Sequence, residues 1–210
     1  MISVVLADDH SLIREGIKKV LIRQPDLEVV CEAGTAQEVL DFLARSQAHI
    51  IVMDINLPGM SGLDALKFVK KLSPTVHVLM LSMYPEDRFA IRALKAGAAG
   101  YITKGSAAEE LITAIKKVSA GKRYVSAATA EMLAEELSGP SEKLPHETLS
   151  DREFQIFMMI VQGKTMKEVS RELVLSVNTV NTYRARILEK MKMSSVQDLM
   201  RYAFDNKLIQ

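Results

Sequence analysis

Hydrophobic and polar positions follow two different rhythms along this chain. In the first half, short and mostly apolar runs alternate with longer stretches whose apolar residues recur every three or four positions. Four of the runs end on polar side chains: residues 2–7 lead into Asp8 and Asp9, 50–53 into Asp54, 78–81 into Ser82, and 100–103 into Lys104. Brief runs of aliphatic and β-branched residues predict strands covered on both faces. Helices between them make the strands parallel, and right-handed crossovers bring their carboxyl ends to one edge. Ligands of such sheets bind at that edge, beside a topological switch point.

The second half has only the helical rhythm. Ser150 with Glu153 three residues later predicts a capping box, followed by Phe154, Ile156, Phe157, Ile160 and Val161, with Gly163 ending the helix. A short helix from Thr165 carries Met166, Val169 and Leu173. After the turn Val174-Leu175-Ser176 a third helix runs to about Met191, with Val180, Ile187, Leu188 and Met191 inward. Two short helices joined by a tight turn predict a helix-turn-helix. A last helix over about 196–207 has Leu199, Met200 and Phe204 apolar, a candidate dimerisation surface.

Between the halves, a helix over about 106–119 bears Leu111, Ile112, Ile115 and Val118 and ends at Gly121; a short helix over 126–137 bears Met132, Leu133 and Leu137. Residues 138–148 are rich in turn formers and read as a linker. The expected domains are therefore 1–122, a linker with a short helix over 123–147, and 148–210. A chain of 210 residues suits two small domains. No apolar run reaches about 18 residues and no basic-then-apolar leader opens the chain, so a cytoplasmic protein without a membrane span is expected. The single cysteine, Cys31, closes an apolar run and is expected in the core, as are most of the twelve methionines.

The strand-end residues suggest the chemistry. Clustered carboxylates repel one another, and a hard divalent cation relieves the repulsion. Asp8, Asp9 and Asp54 suit Mg²⁺, which prefers oxygen ligands and often contacts phosphate. His10 has no second His or Cys at ligand spacing and is not counted as a ligand. Asp54 stands alone at a strand end before the Gly-rich turn 56–62 and is assigned as a nucleophile toward phosphorus. Asp8 and Asp9 would hold the metal, while Lys104 and Ser82 would each contact a phosphoryl oxygen. An aspartate-based phosphatase would need a second acid two residues after the nucleophile. Asn56 stands there and has no carboxyl proton to donate, so no enzyme is expected.

Asp8-Asp9-His10, the segment from Met53 to Gly62, Ser82 and the segment from Gly97 to Lys104 resemble the receiver domain of two-component response regulators. The resemblance implies a flavodoxin-like, doubly wound five-stranded parallel sheet, with Asp54 taking phosphate from a sensor histidine kinase. It also implies the backbone carbonyl of Asn56 as a further metal ligand and Tyr101 as an aromatic switch that turns inward when Ser82 moves toward the phosphate. Most receivers have proline where Gly105 stands, so the cis peptide common at that bond is not expected here.

The net charge of +1 conceals a mildly basic C-terminal part, 10 basic residues against 8 acidic over 147–210. Within 176–192, however, Arg184, Arg186, Lys190 and Lys192 face only Glu189. Such concentration on one helix is an electrostatic footprint of DNA binding. The segments 149–153, 163–169 and 175–184 resemble the LuxR-type DNA-binding domain, so a four-helix output domain is expected. Together the halves are similar to NarL/FixJ response regulators, and segments 98–101, 121–124 and 179–184 look closest to the GacA/UvrY group. Asn181, Thr182 and Ala185 are expected at base edges, and Lys164, Thr179, Arg184 and Arg186 at phosphates. Many members of the family have lysine in place of Asn181; asparagine pairs with adenine, whereas lysine more often reads guanine. The expectation is a transcription regulator whose phosphorylation favours a homodimer on a two-fold DNA site. The alternative is a phosphorylation-dependent adaptor without sequence-specific DNA binding.

Overall fold

The computed structural model describes residues 1–106, 108–137 and 144–209. Residues 138–143 of the expected linker and the side chain of Leu137 lie outside the described residues. The chain forms two compact units, Met1–Gly139 and Pro140–Gln210.

In the first unit, strands β1 (Ile2–Ala7), β2 (Leu27–Ala33), β3 (Ile50–Asp54), β4 (His77–Ser82) and β5 (Gly100–Thr103) make one parallel sheet in the order β2-β1-β3-β4-β5. Helices α1 (Ser11–Leu21), α2 (Ala36–Leu43), α3 (Gly62–Leu72), α4 (Glu86–Lys95) and α5 (Ala108–Ser119) connect and follow the strands, giving the doubly wound flavodoxin-like fold. Strand alternation divides the core. Val4, Leu6, Ile50, Val52, Leu79, Leu81 and Ile102 join Leu21 of α1 and Leu111, Ile115 and Val118 of α5 in one cluster. Their neighbours Val5, Ile51, Met53, Val78 and Met80, equally buried, face the other way.

The strand β2 has no counterpart among the four runs ending in site residues. It lies at the edge of the sheet, where Glu28, Val30 and Glu32 are exposed, so half its positions are polar or open. For the same reason Cys31, expected in the core, is only half-buried. No cis peptide bond occurs among the described residues, so Lys104–Gly105 is trans.

Helix α6 (Ala127–Leu137), which the sequence places within a linker, packs against α4 of the first unit. The second unit opens with a 3-10 turn, Pro145–Thr148. Helices α7 (Asp151–Val161), α8 (Met166–Glu172), α9 (Val177–Met191) and α10 (Val196–Asp205) follow. Helix α7 packs on the other three through a core that includes Phe154, Phe157, Val169, Val180, Ile187 and Leu199. Each helix starts at a hydroxyl cap, Ser150, Thr165, Ser176 and Ser195, which satisfies an otherwise orphaned N–H. None of the described helices is long and apolar enough to cross a membrane.

Candidate functional site

The order of strands reverses between β1 and β3, and their carboxyl ends place Asp8 and Asp54 side by side. Both are buried. Their side chains are 3% and 1% exposed, and Lys104, from the end of β5, is equally enclosed at 3%. The Lys104 Nζ lies 2.7 Å from Asp8 Oδ2 and 2.7 Å from Asp54 Oδ2, so one ammonium serves two carboxylates. Asp54 Oδ1 accepts from the Asn56 N–H at 3.1 Å. Asp8 Oδ2, by contrast, meets the same ammonium only as an ion pair and has no hydrogen-bond partner of its own.

The charges are thus undercompensated. Burial pushes the Asp54 carboxyl up, Lys104 opposes that, and the Asp8 charge adds to the rise; the balance is upward. For Lys104, burial favours loss of the proton, but the Asp54 and Asp8 carboxylates outweigh it and hold the ammonium above its ordinary value. Asp9 sits at the open rim, where His10 Nδ1 lies 2.7 Å from Asp9 Oδ1 and 3.1 Å from Asp8 Oδ1. Ligand-type atoms of Asp8, Asp9, His10 and Asp54 all fall within 4.8 Å of one another. Asp8 Oδ1 accepts from the His10 N–H at 2.9 Å, and a buried Oδ2 without a hydrogen bond in an acidic cluster fits a hard divalent cation.

Beside this pocket, Ser82 is fully buried at the end of β4, and its Oγ accepts from the Tyr84 N–H at 3.1 Å. Tyr101 points inward; its hydroxyl donates to the Tyr84 carbonyl at 2.8 Å, and burial raises the phenol far above its usual range. The structure therefore brings Asp8, Asp9, Asp54, Asn56, Ser82 and Lys104 to one edge, with Tyr101 a layer beneath.

Three supporting residues escaped the sequence reading. Gly62 starts α3 directly against β3: a Cβ there would lie 2.0 Å from the Asp54 carbonyl oxygen. The glycine stands in the quoted turn, but its packing role shows only when the helix is in place. Arg14 of α1 donates to the Asp8 carbonyl, fixing the backbone of the acidic pair. Tyr84 is held at both its N–H and its carbonyl, by Ser82 and Tyr101. Nothing in sequence spacing marks it.

On the second unit, Val180 and Ile187 turn inward while Thr182, Ala185 and Arg186 are exposed and Thr179, Asn181 and Arg184 half-buried. Asn181, Thr182 and Ala185 share a stripe at helical spacing on α9. The Thr182 hydroxyl donates to the Asn178 carbonyl at 3.0 Å, within its own helix. Lys164 lies 2.5 Å from the Glu172 carboxylate. Lys190, which the sequence counts within the basic footprint of this helix, pairs with buried Glu153 at 2.6 Å. Of the three dimerisation candidates, Leu199 belongs to the core and Met200 is half-buried, leaving Phe204, 66% exposed. Leu199 is correspondingly unavailable as an interface residue.

The receiver-like pocket on a doubly wound sheet, joined to a helix-turn-helix unit, defines a response regulator. The chain belongs to that family: residues 4–116 match the response regulator receiver domain, and residues 147–203 match the luxR family of bacterial regulatory proteins. It is similar to the response regulator GacA of Pseudomonas protegens, 40% identical over 199 residues that cover 95% of this chain and 93% of that protein. UvrY of Escherichia coli is 34% identical over 209 residues, covering 99% and 96%. Among solved structures, a LuxR-family response regulator from Aurantimonas sp. is 36% identical with a TM-score of 0.60, covering 65% of this chain and 98% of that one. RcsB of Salmonella enterica serovar Typhimurium, bound to promoter rprA in the presence of a phosphomimetic, shares the fold at 21% identity, with a TM-score of 0.67 and coverage of 96% and 97%.

Proposed function

We propose that this response regulator is phosphorylated on Asp54 by a sensor histidine kinase, and that the phosphate controls dimerisation and DNA binding in the cytoplasm. The observation that carries the reading is the pair of buried carboxylates, Asp8 and Asp54, sharing the Lys104 ammonium at the carboxyl edge of the sheet. An Asp54 carboxylate oxygen attacks the phosphorus of the donor phosphohistidine; the P–N bond breaks, the imidazole leaves, and an acyl phosphate remains. Lys104 passes from the carboxylates to a phosphoryl oxygen, and the Ser82 hydroxyl donates to another. Asp8, Asp9, Asp54 and the Asn56 carbonyl would hold Mg²⁺, whose charge would offset that of a phosphoryl group there. Tyr101 reports the movement of Ser82. With Asn56 two residues after Asp54, no side-chain acid is supplied for turnover of a phosphate ester, and the protein acts as a switch rather than as an enzyme.

The receiver domain spans 1–122, the segment 123–147 joins the two parts, and 148–210 is the output. There Asn181, Thr182 and Ala185 read base edges while Lys164, Thr179, Arg184 and Arg186 meet phosphates, on a two-fold double-stranded site occupied by a homodimer. The experiment is chemical labelling. With acetyl phosphate and Mg²⁺ the protein gains one acid-stable, hydroxylamine-labile phosphate by intact mass, and Asp54→Asn gains none. An undiminished adduct in Asp54→Asn overturns the assignment.

A further inference from the structure

The chain that leaves α5 is docked onto the first unit at Tyr124 and again at α6. The Tyr124 N–H donates to the Ala99 carbonyl at 2.8 Å and forms a parallel bridge to Gly100, extending the sheet beyond β5. Gly100 permits that approach, since a Cβ there would stand 2.7 Å from the Tyr124 carbonyl oxygen. The α6 contact is to the first turn of α4. A single carboxylate oxygen, Glu86 Oε2, accepts from the Ser126 hydroxyl and, at 2.7 Å, from the Thr129 hydroxyl, with Thr129 only 1% exposed. Ser126 is also the hydroxyl that accepts from the Thr129 N–H at 3.1 Å and so caps α6. Cap and dock share one atom.

The other side of Glu86 leads to the acidic pocket. Tyr84, two residues earlier, has its N–H on Ser82 and its carbonyl on Tyr101, and its ring packs 4.8 Å from that of Phe89 in α4. We propose that α6 is a latch held on α4 by Glu86, and that phosphorylation of Asp54 releases it. This rests on Asp54 as the acceptor. When the Ser82 hydroxyl turns to a phosphoryl oxygen, the Tyr84 N–H loses its acceptor and the segment between β4 and α4 must settle anew. Glu86 stands at the end of that segment and must meet two hydroxyls at once. Hydrogen bonds weaken steeply once the angle is lost. Helix α6 has 11 residues, too few for stable order without packing, so its folding follows its docking.

The test is hydrogen–deuterium exchange of the α6 amides in the full chain, with and without acetyl phosphate and Mg²⁺, phosphate load being read by intact mass. In the wild-type protein, α6 exchange rises at least tenfold on phosphorylation. Glu86→Gln and Thr129→Val start at that raised level, take phosphate normally and respond less than twofold, while Thr129→Ser restores the closed behaviour. Unchanged α6 exchange in fully phosphorylated wild-type protein overturns the latch. So do variants as protected as the wild type. If no phosphate adduct forms, the acceptor assignment fails instead, and the unphosphorylated variants still decide whether Glu86 holds α6.

Discussion

Single residues in this protein do work that depends on their immediate surroundings. Gly62 brings α3 within contact of the Asp54 backbone, with its N–H on the Ile55 carbonyl at 2.9 Å. Gly62→Ala forces a methyl group to within 2.0 Å of backbone that cannot swing away. Such overpacking costs roughly 1–3 kcal/mol. Urea unfolding should show that loss, with slower labelling by acetyl phosphate because Asp54 is displaced. On α9, Asn181 and Arg186 separate reading from positioning. Asn181→Ala should cost roughly 1–3 kcal/mol on a duplex selected from random sequence by the protein itself, and little on scrambled DNA. Arg186→Ala should weaken both equally and lower the salt slope by about one unit. Equal losses on both duplexes for Asn181→Ala would show that it positions.

Among the elements, the C-terminal helices rely on carboxylates at their starts. Glu168 is held below the ordinary carboxylate range by the Thr165 N–H and hydroxyl, and Asp198 by the Ser195 hydroxyl. Burial pushes Glu153 up, but Lys190 and the Ser150 cap outweigh it and leave its pKa lowered. A lowered pKa in the folded state means the stabilisation is present above the unfolded value and is lost as pH falls through the folded one. The C-terminal unit should therefore lose stability as pH drops below the ordinary glutamate value. Lys190→Ala should cost about 1–2 kcal/mol at neutral pH, allowing for the exposed ammonium, and flatten the acid limb. Thermal unfolding from pH 7 to pH 3 measures both, and an unchanged acid limb would remove Glu153–Lys190 from the account.

At the scale of the whole molecule, the chemistry at Asp54 must become a change in DNA affinity. Phosphate adds roughly −1.5 to −2 charges at one site, enough to bias an element with two states. If the phosphorylated chains pair, the second half-site contact becomes effectively intramolecular. Sedimentation should then show a shift from monomer toward dimer on treatment with acetyl phosphate and Mg²⁺, and affinity for the selected duplex should rise under the same conditions. Asp54→Asn should show neither change. A protein indifferent to phosphate in both mass and affinity would lack this form of control.

The sequence by itself determined the strands that carry Asp8, Asp54, Ser82 and Lys104, because fully buried strands must be continuously apolar and their polar ends stand out. It equally marked Ser150–Glu153 and the inward residues Val180 and Ile187, since capping and helical period are local. What lay beyond it depended on neighbours. Edge strand β2 is exposed at Glu28, Val30 and Glu32, and its short apolar run, 29–31, ends on no site residue. Val174 takes a φ of 52° in the helix-turn-helix turn, a left-handed conformation its β-branched side chain does not announce. Leu199 has the same apolar character as exposed Phe204, and only the packing of α10 on α7 separates core from surface. The tertiary structure alone paired Lys190 with Glu153, tied Tyr84 to Tyr101, and set α6 on Glu86, for those contacts join positions whose spacing in sequence has no period to betray them.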